Sequence, residues 1–390
     1  MLSLFKYSLY KPSHFKAVCR DALRLKSRNT DLSASLHAAM DWLICAHDNG
    51  DGGVAGYFSL ATGWNAPYPE TTGYIIPTMF DYSRFSGQSK YRDRAIAMAD
   101  WELGIQYQDG AFPGGYTDSS PGPIVFNTGQ VLQGLVAAYV ETQDERYRTA
   151  ARKAGDWLAA VQDPNGAWTR HTYRNTFHTY HTRVAWPLLQ LREITEDDRY
   201  AKTAINFLQW ALENQQENGW FKHNALYLRT DYALTHSVAY AIRGFLESGV
   251  LLQNDEYLSA AKKASSVLLD KFEVTGNLQA SYGSEWDSSD TYSCVTGNAQ
   301  MSGIWLRLYT ITKDPKYRAA AAKMNAALRG TQNLTSSNSG IRGGIKGSDP
   351  IYGRYMPFCY INWATKFFAD TLMFEEASKR LDPVDSAQTV

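Results

Sequence analysis

Between Phe126 and Trp168 the apolar residues follow two patterns in succession. Up to Tyr139 they occupy nearly every side of a helix. Val131, Leu132, Leu135, Val136 and Tyr139 leave little charged face, which predicts a buried helix. After the polar turn Thr142-Gln143-Asp144 they narrow to one stripe. Tyr147, Ala150, Ala151, Ala154, Trp157 and Leu158 share it, while Arg146, Arg148, Arg152 and Lys153 face away, as in an amphipathic outer helix. So short a turn makes the two helices antiparallel neighbours. Gln162-Asp163-Pro164-Asn165-Gly166 then stops the second.

This inner–outer hairpin recurs. Residues 69–87 pair with 90–106, 181–197 with 199–215, 234–253 with 256–272, and 296–314 with 316–332. Tyr91, Tyr147, Tyr200, Tyr257 and Tyr317 mark the outer-helix starts, at spacings of 56, 53, 57 and 60 residues. An amphipathic helix over 31–46, capped by Asp31 or Ser33, lacks an inner partner before it, and the apolar helix 361–376 lacks an outer partner after it. Joined, they make a sixth hairpin, and six hairpins close a ring. The expected organisation is a lead-in over 1–30, an all-α toroid over 31–378 and a tail over 379–390.

Three loops leaving outer helices match one another: Gln106 to Phe112, Gln162 to Trp168 and Gln215 to Trp220. Glycine permits a positive-φ turn after the helix, the aromatic is expected to fold back on the helix end, and Gln to cap a nearby backbone group.

Composition narrows the function. The net charge is +0, against a nucleic-acid or anionic-membrane partner. No apolar run reaches about 18 residues, so no membrane span is expected. Cys19, Cys45, Cys294 and Cys359 are scattered, which suits a reducing compartment, and no signal peptide is read at the N-terminus. The expected location is cytoplasmic. The 25 Tyr and 11 Trp offer flat apolar faces with polar tips, suited to sugar rings or to a large core.

In such a ring the loops entering the inner helices gather at one end of a funnel. Those junctions hold Glu70, Asn127, His178, Tyr180, His181, Arg183, His236, Tyr292, Asn298 and Trp363. Thr72, Thr128, Thr182, Thr235 and Thr296 are explained there as helix caps. Glu70 is the expected general acid or base, with His178 or His236 as its proton partner; for elimination or epimerisation Tyr180, Tyr292 and the histidines fit better as the base. Arg183 is expected to clamp a substrate carboxylate. The glycine-rich segment 339–355 adds Arg342, Lys346 and Tyr355 as a flexible cationic loop for an anionic glycan. Trp64 and Tyr68 add aromatic surface. Two-carboxylate hydrolysis would need Glu285, Asp287 or Asp290 as the second carboxylate. Metal-ligand spacing and the dinucleotide fingerprint are missing, so neither metal nor cofactor is expected.

The paired helices and the Q-x-x-x-G-x-W loops resemble the (α/α)6 toroid proteins, the loops being similar to the QW repeats of squalene-type cyclases. The D-x-D-D acid of those cyclases is absent. The chain therefore resembles the carbohydrate-active toroids: six-hairpin glycosidases, unsaturated glucuronyl hydrolases, sugar epimerases and polysaccharide-lyase toroid domains. HTYHTRVAW, LTHSVAYAIRG, YSCVTGNAQ, GIRGGIKGS and NWATKFFAD also look like a toroid group linked to exopolysaccharide synthesis. The resemblance implies an enzyme cleaving an acidic or amino-sugar oligosaccharide or polysaccharide, by hydrolysis or elimination. The alternatives are a uronyl C5-epimerase-like enzyme and a non-catalytic glycan-binding protein of polysaccharide assembly. The oligomeric state is not indicated by the sequence.

Overall fold

Each apolar run named above is helical in the computed structural model, which describes residues 5–25, 31–119, 122–226 and 232–380. The outer helices are α2 (Leu32–Asp48), α4 (Ser89–Ile105), α6 (Glu145–Ala160), α8 (Asp198–Glu213), α10 (Asp255–Thr275) and α12 (Pro315–Thr331). The inner helices are α3 (Pro69–Ser86), α5 (Val125–Thr142), α7 (Thr182–Thr195), α9 (Thr235–Leu252), α11 (Val295–Thr312) and α13 (Asn362–Lys379). Each inner helix packs on the next, and α13 packs back on α3, closing an (α/α)6 toroid. α2 packs on α13, so helices from opposite ends of the sequence form the sixth hairpin. The lead-in holds helix α1 (Pro12–Ala22). Residues 1–4 and 26–30 of the lead-in and 381–390 of the tail lie outside the described residues.

The repeated loops tie neighbouring hairpins together. Gln106 Nε2 donates to Gly110 O within its own loop (3.0 Å) and to Ala150 O on the next outer helix (2.9 Å). Gln162 does the same to Gly166 O and Thr203 O, and Gln215 to Gly219 O and Ala260 O. Gly166 has a φ of +86°, and a Cβ there would stand 2.5 Å from Asn206 O, so only glycine lets the loop lie on that helix. A fourth clamp escaped the sequence reading because its loop is longer: Gln332 Nε2 donates to Gly343 O (2.8 Å) and to Ser35 O on α2 (3.1 Å). Trp168 folds back as expected, its Nε1 donating to Leu158 O at 3.0 Å.

The threonine capping expectation is corrected. The outer helices α2, α6, α8, α10 and α12 are capped by Asp31, Asp144, Asp197, Asn254 and Asp314. The inner helices have no side-chain cap. Their threonines lie inside the first turn and fasten loops instead. Thr72 Oγ1 accepts from Val54 N (2.9 Å) and Thr128 Oγ1 from Phe112 N (3.0 Å). Short strand pairs sit among the loops, which the all-helical reading did not foresee: β1 (Tyr57–Ser59) with β2 (Gly63–Trp64) and β7 (Cys359–Ile361), β3 (Tyr232–Leu234) with β4 (Ser281–Gly283), and β5 (Ser293–Cys294) with β6 (Ser348–Asp349).

Glycines set the width of the bore. A Cβ on Gly73 would lie 2.5 Å from Val131 Cα, and one on Gly134 2.3 Å from Gly73 O, so α3 and α5 meet backbone to backbone. Gly244 against Thr182 and Gly297 against Thr235 repeat this between α9 and α7 and between α11 and α9. Gly134→Val is expected to lower stability by about 1–3 kcal/mol through overpacking. A urea unfolding midpoint equal to that of the unsubstituted chain would contradict it.

Candidate functional site

The entrances to the inner helices surround a hollow of about 830 Å3. That is within the range of ligand-binding cavities. Four inner helices line it with the second residue of their first turn: Glu70 on α3, Phe126 on α5, His236 on α9 and Trp363 on α13. One turn deeper on the same faces, at i+4 from Glu70 and His236, stand Tyr74 and Tyr240. These two close the floor with Phe367: the Tyr74 and Phe367 ring centroids are 5.5 Å apart, those of Tyr240 and Phe367 6.0 Å. The rim carries His171, Tyr173 and Arg174.

Glu70 is the sole carboxylate among the described residues lining this hollow. Burial raises its pKa to about 7, opposed by the Tyr68 hydroxyl, which donates to Oε2 at 2.6 Å, and by the charge of Arg183. The carboxyl group is thus a proton donor poised near neutrality. His236 moves the other way. Burial draws its pKa down to about 4, against a hydrogen bond to Gln300 Oε1 at 2.7 Å and with Arg183 adding to the fall. The ring is neutral, its proton sits on Nδ1 facing Gln300, and Nε2 is its basic atom. A weak acid and a neutral base therefore share one aromatic-walled chamber.

Of the residues expected at the site, Tyr68, Glu70, Asn127, Tyr180, His236, Tyr355 and Trp363 line the hollow. Trp363 Nε1 donates to the Tyr355 hydroxyl at 2.8 Å, which holds both rings. His178 stands behind Tyr180, stacked on it at 4.7 Å, with Nε2 donating to Tyr173 O at 2.7 Å. His181 is fully buried among Phe126, Trp168 and Phe207, and burial takes its pKa well below the usual imidazole value. Both histidines support the wall and do not line the hollow. Trp64 packs on Trp42 and Phe58 instead.

The expected cations are elsewhere. A short 3-10 turn, Thr179–His181, precedes α7, so Tyr180 takes the upper level and Arg183 lies deeper, in a second cavity of the bore. Lys346 is no flexible loop cation: it is 3% exposed and ion-paired with Asp21 of α1 and, at 2.8 Å, with Asp349. Arg342 is exposed and donates to Ser336 O. Tyr292 and Asn298 line a separate cavity beside α1. The second carboxylate is also absent from the hollow: Asp290 accepts from the Ser281 hydroxyl (2.6 Å), Asp287 accepts from Tyr232, and Glu285 is not in the lining.

Tyr74 and Tyr240 were missed. They sit within apolar helical runs and read as core; their i+4 spacing from Glu70 and His236 is the signal that could have found them. No group of three His, Cys, Asp or Glu among the described residues is placed to hold a metal ion, and the four cysteines are free. No described helix is long and apolar enough to cross a membrane.

Comparison with known proteins agrees with this fold. The model of the family described as beta-L-arabinofuranosidase, GH127 catalytic domain, matches residues 115–345. Among solved structures, an unsaturated glucuronyl hydrolase specific for heparin superposes with a TM-score of 0.73 at 15% identity, over 90% of this chain and 98% of that one. The unsaturated glucuronyl hydrolase of Bacillus sp. GL1 gives 0.70 at 16% identity, over 88% and 96%. Cellobiose 2-epimerase from Bacillus thermoamylovorans gives 0.70 at 12% identity, over 87% and 97%. At these identities the likeness is one of fold. No curated protein matches by sequence.

Proposed function

We propose, from the premise that the chain belongs to the family of the beta-L-arabinofuranosidase GH127 catalytic domain, a family of carbohydrate-active enzymes, that it is a glycoside hydrolase with Glu70 as general acid. The observation that carries this reading is a single carboxylic acid with a pKa of about 7 in an aromatic hollow whose floor is closed. A closed floor suits removal of a terminal sugar. Tyr180, Tyr240 and Trp363 offer faces to a sugar ring, and with Arg183, Arg342 and Lys346 elsewhere and Arg174 only at the rim, the fit inside the hollow is to a neutral ring rather than an acidic one.

In the proposed step Glu70 gives its proton to the glycosidic oxygen as the bond from that oxygen to the anomeric carbon breaks. His236 Nε2 takes a proton from a water whose oxygen bonds to the anomeric carbon. The products are the free sugar and the leaving alcohol, with Glu70 ionised and His236 protonated until solvent resets both. The test is release of nitrophenol from 4-nitrophenyl β-L-arabinofuranoside and from related neutral glycosides. No release across such a panel, nor any new reducing end from neutral disaccharides, would defeat the reading.

The neutral base beside a protonated acid also favours a second reading, epimerisation at a carbon next to a sugar carbonyl. Reaction in D2O separates the two: hydrolysis makes new reducing ends without carbon-bound deuterium, whereas epimerisation incorporates deuterium and cleaves nothing. The proposed setting, exopolysaccharide metabolism in the cytoplasm, rests on the sequence resemblance and the scattered cysteines.

A further inference from the structure

One buried cation acts on the proposed acid and base only through space and touches neither. Beneath the floor, all six inner helices line a second cavity of about 100 Å3. Its cations are Arg183, Arg243 and Lys366. Lys366 pairs with Asp370 at 2.6 Å, and Arg243 pairs with Glu247 at 2.8 Å. Two carboxylates, Asp81 and Asp370, are also in the lining, and Asp81 pairs with Arg84. Arg183 alone of the three cations has no carboxylate within ion-pair distance among the described residues, although it is 3% exposed. Its Nη2 donates to Gln133 Oε1 at 3.2 Å, its Nε has no acceptor, and its guanidinium lies 4.7 Å from the Trp186 ring. Burying a charge without a counter-charge is costly, and a chain normally supplies one or binds one.

We infer that this cavity binds a small monovalent anion, a halide or an oxyanion the size of nitrate, on Arg183. The volume admits such an ion with a few waters and excludes a sugar or a phosphate ester. Arg183 Nε is a free donor, and with Lys366 and Arg243 already balanced by Asp370 and Glu247 the net charge of the lining rests on Arg183. Asp81 lines the same cavity with its side chain 52% exposed, which gives the ion a way in from solvent. The inference concerns binding and is read by unfolding rather than by turnover, so its failure and that of the proposed hydrolysis are distinguishable.

The test is thermal unfolding of the full chain at constant ionic strength, exchanging sodium gluconate, whose anion is too large for the cavity, for sodium chloride, bromide or nitrate. A saturable rise in Tm of about 2–5 °C is expected with the small anions. Gln133→Glu places a carboxylate at the position that already meets Arg183. It is expected to match the Tm of the anion-saturated protein in gluconate alone and to lose the response. Arg183→Gln, where it folds, should also lose it. Equal Tm values in gluconate and chloride throughout would overturn the inference, as would an undiminished response in Gln133→Glu.

Discussion

Glu70→Gln is expected to lower kcat by about 100-fold to 10,000-fold, the usual contribution of a positioned general acid, while the circular dichroism spectrum stays unchanged. The amide keeps the shape of the side chain and its place in the first turn of α3 but has no proton to release. The same assay has a pH signature. Glu70 acts in its protonated form, so activity falls as pH rises through about 7. Tyr68 donates to the ionised carboxylate and so favours it. Tyr68→Phe removes that bond, raises the pKa of Glu70 and should move the basic limb of kcat/KM to higher pH. Full turnover in Glu70→Gln, or a limb moved to lower pH in Tyr68→Phe, would remove Glu70 from the mechanism.

The largest expected loss of stability is at Glu247. Its side chain, 8% exposed, pairs with Arg243 at 2.8 Å and receives hydrogen bonds from Arg307 Nε (3.1 Å) and Nη2 (3.2 Å), joining α9 to α11. Glu247→Ala leaves two guanidinium groups facing each other and is expected to cost about 3–5 kcal/mol in urea unfolding. Burial pushes the Glu247 pKa up, but Arg243 and Arg307 outweigh it and hold the folded value below the ordinary one. Its contribution is therefore present above the unfolded pKa of about 4.3 and lost as pH falls through the lower folded value. The gap between the two proteins should narrow in strong acid. A gap that stayed constant down to about pH 2 would show that the charge pair is not its source.

The helices were legible because inner and outer members bury different fractions of their circumference, and that difference is written in the order of apolar residues. Their pairing followed from short turns at regular intervals. The site was legible only where function sits at a helix entrance. Glu70, His236 and Trp363 fall there, each second in its helix. Arg183 falls at the same position of α7, yet the 3-10 turn before it moves it one level down the bore, and no spacing rule announces such a turn. Lys346 was misassigned because its partner Asp21 is distant in sequence, and a glycine-rich stretch does not reveal which helix it will lie against. Tyr74 and Tyr240 show the converse difficulty. A phenol in an apolar run reads as packing until its neighbours along the axis are known.

The hairpin that pairs α2 with α13, latched by Gln332 on Ser35, 297 residues away in sequence, has a consequence for biosynthesis. Five hairpins can assemble as the polypeptide leaves the ribosome, but they form an open arc with two greasy edges, and neither edge is covered until the last inner helix has been translated. Newly made molecules therefore carry their greatest risk of clumping while α13 is still inside the ribosome, and chaperone dependence should be concentrated there.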